Sequence, residues 1–211
     1  ALEKSLRQTN AKIIFNQKVN SLAFDSKKHI WKISTLMGNK VNDYYSHDVI
    51  YSPPPQGLLN LLVDRNDNYL KYQKRLKNLP KPSGALVFYS ALKKENMSCV
   101  NSNHYQFVYE ELGSLFISLS ELGDGRAPSE EITLIASIFT NTQEWFDIDK
   151  DHYIFKKNQY LNKISKAVED KFNISPNDWL HRELSTPRAF AKWTNRPKGI
   201  VGGIGQNPEV F

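Results

Sequence analysis

The hydrophobic pattern of residues 1–55 predicts one edge of a layered sheet domain. Leu2 and Leu6 stand four residues apart among polar residues, as on one face of a helix. Asn10 follows at a position where a left-handed residue often ends a helix. Residues 12–15 read Lys-Ile-Ile-Phe, and such an apolar run is typical of a strand covered on both faces in a parallel sheet. The pattern therefore predicts a helix, a tight stop and a buried strand, which together form half of an α/β unit.

A hairpin and a returning strand are predicted next. Segments 18–24 and 29–35 are rich in strand-forming residues, and the polar tetrapeptide 25–28 between them is of the kind that closes a hairpin. A third strand is predicted over 44–51. It ends at three prolines that begin at Pro53, because proline lacks a ladder donor and fixes its φ.

Beyond the prolines the period of the apolar residues changes from helical to strand-like. Helices are predicted over 57–62 and 66–79. Four strands then predict a second, mostly antiparallel sheet; they are 84–92, 105–110, 114–122 and 132–140. A helix over 160–172, a strand over 179–185 and a short helix that begins at Thr186 and Pro187 follow. The pattern as a whole predicts an α+β chain in which helices flank the second sheet.

Composition places the chain among ordinary globular proteins. Its 211 residues are 40% hydrophobic, which is enough for a real core. The single Cys99 excludes an internal disulfide and weakly favours a reducing compartment, and no apolar run approaches the ~20 residues of a membrane span. The net charge of +6 permits an anionic partner, but the lysines are scattered along the sequence, so we expect a solvated or membrane-facing surface and no nucleic-acid site. Because residue 1 is Ala and the last residues are apolar, we interpret the chain as a fragment of a longer one.

Few residues have the spacing of a metal-binding or catalytic motif. Asp147, Asp149 and Asp151 resemble the opening of a calcium loop, but His152 and Asn158 occupy the positions that need Gly and Glu. The five histidines share no metal-ligand spacing, and no serine or cysteine lies in a nucleophile motif. We therefore predict no catalytic side chain and no metal.

A glycine-rich stretch follows the last predicted helix. Gly202, Gly203 and Gly205 could form a phosphate cradle, or they could serve a backbone that needs positive φ or a close approach. A dinucleotide fingerprint would need its third glycine at Pro208, so that motif is absent.

Three pieces of the chain resemble the flavin-dependent phytoene desaturase family, which includes carotenoid desaturases, carotenoid isomerases and retinol saturases. The first runs from Ala1 to Leu22, where the family has a helix, a Gly, a buried strand and a V-x-x-I strand start; Asn10 replaces the Gly. The second is His47-Asp-Val-Ile-Tyr-Ser-Pro-Pro, similar to the family's A-D-x-V-V-x-x-x-P return into its flavin domain. The third is Ser185-Thr-Pro-Arg-Ala-Phe with the glycines after it, similar to T-P-x-x-F…G-G near the family's C-terminal end.

The resemblance implies part of an α/β flavoprotein that binds FAD, with the main pyrophosphate motif outside this chain. It implies an FAD-domain remnant over 1–55, a substrate domain over 56–193 and a return to the FAD domain over 194–211. By the same resemblance, FAD would contact Val19, Pro53, Trp193, Gly202 and Gly203. A polyene lipid would contact aromatic residues of the substrate domain, which we take as Phe88, Phe107, Phe116 and Phe139, although core packing is the more frequent role of such residues.

The implied activity is desaturation or isomerisation of a carotenoid or retinoid by a cytoplasmic enzyme bound peripherally to a membrane. The alternative from another class is a non-catalytic β-sheet module that binds an apolar ligand or a protein partner.

Overall fold

The computed structural model describes residues 2–9, 11–80, 82–97, 101–121 and 123–203. The chain divides into two compact units, Ala1–Asn78 and Leu79–Phe211, called here the N-terminal and the C-terminal unit. The residues described form helices and two antiparallel sheets, one of three strands and one of five, so the fold is α+β as predicted.

The N-terminal unit contains a short helix and a three-stranded meander. Its elements are α1 (Leu2–Arg7), β1 (Lys18–Asp25), β2 (Ile30–Met37) and β3 (Lys40–Ser46), and the sheet order is β1-β2-β3. The predicted hairpin is confirmed. At its turn the Asp25 carboxylate accepts hydrogen bonds from the backbone N–H groups of Lys27 (3.0 Å) and Lys28 (3.1 Å), which fixes the connection.

Two predictions for this region are wrong. Residues 12–15 form no strand, and Ile13, Ile14 and Phe15 are 40%, 50% and 65% exposed. An apolar run becomes a buried strand only when neighbouring strands accept its backbone hydrogen bonds, and no described residue does so. The third strand ends at Ser46, whereas the prediction carried it to residue 51. Asn10, the predicted helix stop, lies outside the described residues.

Residues after the prolines fold back on the meander. A 3-10 helix, Pro55–Asn60, leads into a bridge in which the N–H of Leu22 donates to Leu61 O (2.7 Å) and the N–H of Val63 donates to Leu22 O (3.0 Å). Helix α2 (Asp67–Lys77) then begins at Asn66, whose side chain accepts from the N–H of Tyr69 (3.1 Å). This packing explains why the units divide after Asn78, whereas the sequence predicts a boundary at residue 55.

The C-terminal unit is a five-stranded antiparallel sheet with one long helix across it. Its strands are β4 (Gly84–Lys93), β5 (His104–Tyr109), β6 (Gly113–Leu119), β7 (Glu131–Thr140) and β8 (Trp179–Ser185), in the order β5-β6-β7-β4-β8. The helices are α3 (Lys150–Phe172) and α4 (Pro187–Thr194), with single 3-10 turns at Lys94–Asn96, Gln143–Trp145 and Pro197–Gly199. All five predicted strands are present within a few residues of their predicted bounds.

Helix α3 begins ten residues before its predicted start at Tyr160. The Asp149 carboxylate accepts from the N–H groups of Asp151 and His152 (both 2.9 Å), so this aspartate, a candidate calcium ligand in the sequence, caps the helix. The helix ends at Asn173, which has φ 53°, as residues that close helices often do.

The main core lies between α3 and one face of the sheet, called here the inner face. It contains fully or almost fully buried apolar residues of both layers: Leu86, Phe88, Leu92, Leu115, Ile117, Leu134, Ile138, Trp145, Ile164, Val168, Phe172 and Leu184. Two polar side chains in this layer are paired, whereas the buried Ser165 hydroxyl of α3 has no hydrogen-bond partner among the described residues. The Trp179 indole N–H donates to the buried Glu169 carboxylate (2.8 Å), and the Ser90 hydroxyl donates to Leu134 O (3.0 Å).

Candidate functional site

The second face of the five-stranded sheet, called here the outer face, carries apolar side chains that remain exposed. Side chains alternate between the two faces along a strand, so those between the core positions point outward. The larger apolar ones on the outer face are Val87 and Tyr89 of β4, Val108 of β5, Phe116 of β6, and Ile135 and Phe139 of β7. Phe139 is 71% exposed and Phe116 is 43% exposed. An ordinary solvated sheet face would carry mostly polar residues at these positions.

Strand register joins these residues into a continuous surface. Val87 pairs with Ser137, and Ser137 pairs with Phe116, so an uncharged row crosses the three central strands. A parallel row contains Tyr89, which pairs with Ile135. Small hydroxyl side chains lie between the large apolar ones. They leave shallow space on the surface in which a thin, apolar ligand could lie.

Charged groups lie at the ends of this surface. Lys93 pairs with Glu131 where β4 ends and β7 begins. Glu183 of the edge strand β8 pairs with Tyr89. His104 stacks on Phe116 with ring centroids 5.9 Å apart. The arrangement offers an exposed apolar surface, and among the described residues it places no acid–base pair at its centre.

The four phenylalanines predicted to bind substrate are divided between the two faces of the sheet. Phe116 and Phe139 lie on the outer face, as a ligand-binding role requires. Phe88 is fully buried on the inner face and meets the Trp179 ring edge to face at 5.6 Å. Phe107 also packs on the core, with the Lys171 ammonium 4.4 Å from its ring. The proposed contact surface therefore keeps Phe116 and Phe139, while Phe88 and Phe107 belong to the core between sheet and helix.

The residues that the resemblance assigned to FAD lie in both units. In the N-terminal unit, Val19 stands in β1 beside an irregularity where the register with β2 shifts between Val19 and Ser21, and Pro53 is exposed after β3. In the C-terminal unit, Trp193 is 77% exposed on α4.

The glycines after α4 differ in what surrounds them. Gly199 has φ 62°, and a Cβ on it would lie 1.9 Å from Pro187 O, so this glycine serves the close approach of the chain to itself. A Cβ on Gly202 would meet only Ser83 Oγ at 3.4 Å, and one on Gly203 would meet nothing within 4 Å. Gly205 and Pro208 lie outside the described residues. Open space beside Gly202 and Gly203 is compatible with a flat ring, but within residues 2–203 as described no glycine turn at a helix start offers a pyrophosphate cradle.

A cluster that the sequence did not reveal fixes α4. Thr186 occupies the N-cap position of α4 as predicted, but its side chain forms no capping hydrogen bond, and its hydroxyl lies 2.9 Å from the Tyr153 hydroxyl of α3. The Arg188 guanidinium donates to Trp145 O (2.5 Å) and Ile148 O (2.6 Å) and lies 4.3 Å from the Tyr153 ring centroid. These bonds hold the helix that carries Trp193 against α3. The sequence feature that could have indicated this cluster is the arginine directly after Thr186 and Pro187.

Comparison of the sequence with protein-family models and with curated proteins finds no match. Among the described residues, no group of three or more His, Cys, Asp or Glu side chains could hold a metal ion. Of the described helices, none combines the length and apolar composition needed to cross a bilayer. The outer face of the five-stranded sheet is therefore the candidate functional site.

Proposed function

We propose that this chain is part of an FAD-dependent oxidoreductase acting on a long polyene lipid, and that its five-stranded sheet supplies the substrate-binding surface. The observation that carries the proposal is the outer face, where large apolar side chains remain exposed on a sheet already covered by α3 on its other side. Burial of apolar area contributes about 25 cal/mol per Å², so an extended hydrocarbon is a suitable occupant.

The composition of the outer face supports this substrate class. Its central row is uncharged, and a polyene offers no group for an ion pair. The two aromatic rings at Phe116 and Phe139 can pack against a planar conjugated chain. The side chains of this face would bind and orient the substrate, and we assign none of them to the proton that desaturation releases.

The chemistry would come from the cofactor. When bound, FAD would accept a hydride from a saturated carbon beside the conjugated system while the neighbouring carbon loses a proton to water, which forms the new double bond, or it would support isomerisation by reversible electron donation. Trp193, Gly202 and Gly203 of the C-terminal unit are the residues that we propose as FAD contacts. The contacts that the resemblance implies for Val19 and Pro53 of the N-terminal unit stay predictions, and the pyrophosphate needs a motif from other residues. In this account the enzyme is cytoplasmic and peripheral to a membrane, where its substrate resides.

Exposed apolar residues of the N-terminal unit are a second line of support. Ile13, Ile14 and Phe15 form the run expected of a parallel strand, yet within the described residues no strand pairs with them. A flavin domain would supply such neighbours.

The alternative is a binding module without chemistry, which the same apolar face would also serve. The test is spectral. The protein expressed from its complete reading frame should purify with flavin absorbance near 450 nm, and anaerobic addition of a polyene substrate should reduce or perturb that band. Purification without any flavin, in the presence of added FAD, would refute the oxidoreductase and leave the binding module.

A further inference from the structure

The positive charge of this chain lies in one unit. Of the 28 basic and 22 acidic residues, 13 basic and 6 acidic belong to the N-terminal unit, which leaves 15 and 16 for the C-terminal unit. The net charges are therefore +7 and −1, with histidine neutral.

Helix α2 concentrates four of these cations. Lys71, Lys74 and Lys77 recur every three residues, and Arg75 stands four residues after Lys71, so all four lie on neighbouring positions of one side of the helix. All four are exposed. Within the described residues none of them forms an ion pair with a carboxylate. We call this side the basic face of α2.

The opposite side of α2 faces the protein. Tyr69 and Tyr72 are half-buried and line a cavity of about 420 Å³ together with residues of the meander, including Leu22 and Trp31. The Arg65 guanidinium lies 5.9 Å from the Tyr69 ring centroid on this side of the helix start. The helix is thus held by its aromatic side, and its cations are directed to solvent.

One apolar residue belongs to the basic face. Leu70 is 54% exposed and stands four residues before Lys74 and seven before Lys77, hence on the same side of the helix. A leucine among lysines suits the boundary between lipid headgroups and acyl chains, where the cations meet phosphates and the leucine enters the apolar layer. Single-stranded nucleic acid would instead need exposed rings for base stacking, and both aromatic residues of α2 are turned inward.

We propose that the basic face of α2 docks the protein onto an anionic lipid bilayer. The inference rests on the proposed function, because a polyene lipid has to be taken from a membrane. Each cation near an anionic leaflet contributes about a fivefold factor to membrane partitioning, so the four together supply a factor of several hundred, moderated by screening at physiological salt.

The experiment is flotation of the full protein with vesicles of phosphatidylcholine alone or with about one-third phosphatidylserine, in the absence of any polyene. Wild-type protein should float only with the anionic vesicles, and 0.5 M salt should release it. The variant Lys71→Gln/Lys74→Gln should partition roughly 25-fold more weakly, since two cations are lost and glutamine keeps the helix propensity. The matched control Lys94→Gln/Lys150→Gln removes the same charge from exposed positions of the C-terminal unit and should stay within about twofold of wild type.

A third variant separates the bilayer from another polyanion. Leu70→Gln should weaken vesicle partitioning several-fold and leave binding to poly(U) unchanged, because only the bilayer offers an apolar layer. The inference is overturned if the α2 variant floats like wild type, if the control loses as much as the α2 variant, or if poly(U) binds more tightly than vesicles and Leu70→Gln has no effect. Circular dichroism melts confirm that each variant is folded.

Flavin absorbance is recorded on the same samples. A protein that floats but carries no flavin would refute the proposed oxidoreductase and keep the docking surface. A flavoprotein that does not bind anionic vesicles would refute the docking surface and keep the oxidoreductase.

Discussion

Truncation of Phe139 tests whether the outer face of the five-stranded sheet binds an apolar ligand. The change is Phe139→Ala on β7. Because this side chain is 71% exposed, its removal leaves the core between the sheet and α3 intact. We therefore expect a loss of binding without a comparable loss of stability.

The size of the effect follows from the exposed part of the ring. A phenylalanine of roughly 200 Å² that is 71% exposed offers about 140 Å² to a ligand, and a chain lying across one side of the ring covers about half of that area. At 25 cal/mol per Å² this burial contributes about 1.8 kcal/mol, which corresponds to a factor of about 20 in Kd. The unfolding free energy should change by less than about 1 kcal/mol, as for most exposed positions.

The assay is fluorescence titration with all-trans-retinol, whose absorption overlaps tryptophan emission, so energy transfer from the four tryptophans reports binding. The matched control is Phe155→Ala on α3, since Phe155 is 62% exposed but lies on the helix that covers the inner face. Equal losses in both variants would mean that any exposed phenylalanine binds the probe. An unchanged Kd for Phe139→Ala would refute the outer face as the ligand surface.

Three further changes test the structure around this surface. Phe88→Ala should lower the unfolding free energy by about 3–5 kcal/mol in urea titrations, because Phe88 is fully buried in the core. Asp149→Asn should lower the pKa of His152 toward 6.5 in NMR titrations, because the hydrogen bond and charge of Asp149 raise that pKa in the folded chain. In wild type, protonated His152 contributes stability that is fully present below pH 6.5 and is lost as the pH rises through the raised pKa of His152. This contribution should be absent from the variant. Gly199→Ala should cost at least about 2 kcal/mol in thermal melts, because the residue has φ 62° and the new Cβ would meet the Pro187 carbonyl.

Each of these changes has a control within the chain. Ile135→Ala on the outer face should cost clearly less than Phe88→Ala, and equal costs would contradict the assignment of the two faces. Asparagine keeps the cap of α3, so an unchanged His152 pKa in Asp149→Asn would show that the carboxylate is not its partner. Gly113→Ala has a similar φ of 67° but open space around its Cβ, and should cost less than Gly199→Ala.

The strands of the C-terminal unit were predictable because apolar and β-branched residues recur in short runs between turn residues, with the clearest alternation in β6. The two faces were not separable from sequence, since β4 and β7 carry apolar side chains on both, with Phe88 inside and Phe139 outside. Helix α3 was predicted too short for a related reason. Its first turns expose Ile154 and Phe155, which breaks the helical spacing, and the capping role of Asp149 was hidden by the resemblance to a calcium loop.

Local sequence also could not reveal contacts that join distant segments. Arg188 reaches the carbonyl groups of Trp145 and Ile148 about forty residues earlier in the chain, and no period or motif encodes that distance. The same limit applies to the basic face of α2. Its four cations stand close together at residues 71–77 of the sequence, but only the helix shows that they share one side while Tyr69 and Tyr72 turn inward.

The exposed run Ile13-Ile14-Phe15 distinguishes the oxidoreductase from the binding module. In a stand-alone module these side chains contribute nothing to a ligand surface, so Ile14→Lys should leave retinol binding and flavin content as they are in wild type. If Ile14 packs against a flavin domain, an unpaired lysine buried there would cost several kcal/mol. We therefore expect Ile14→Lys to lose flavin absorbance, while Lys12→Gln, an exposed neighbour, keeps it. Retention of flavin by Ile14→Lys would contradict packing of residues 12–15 against an FAD domain.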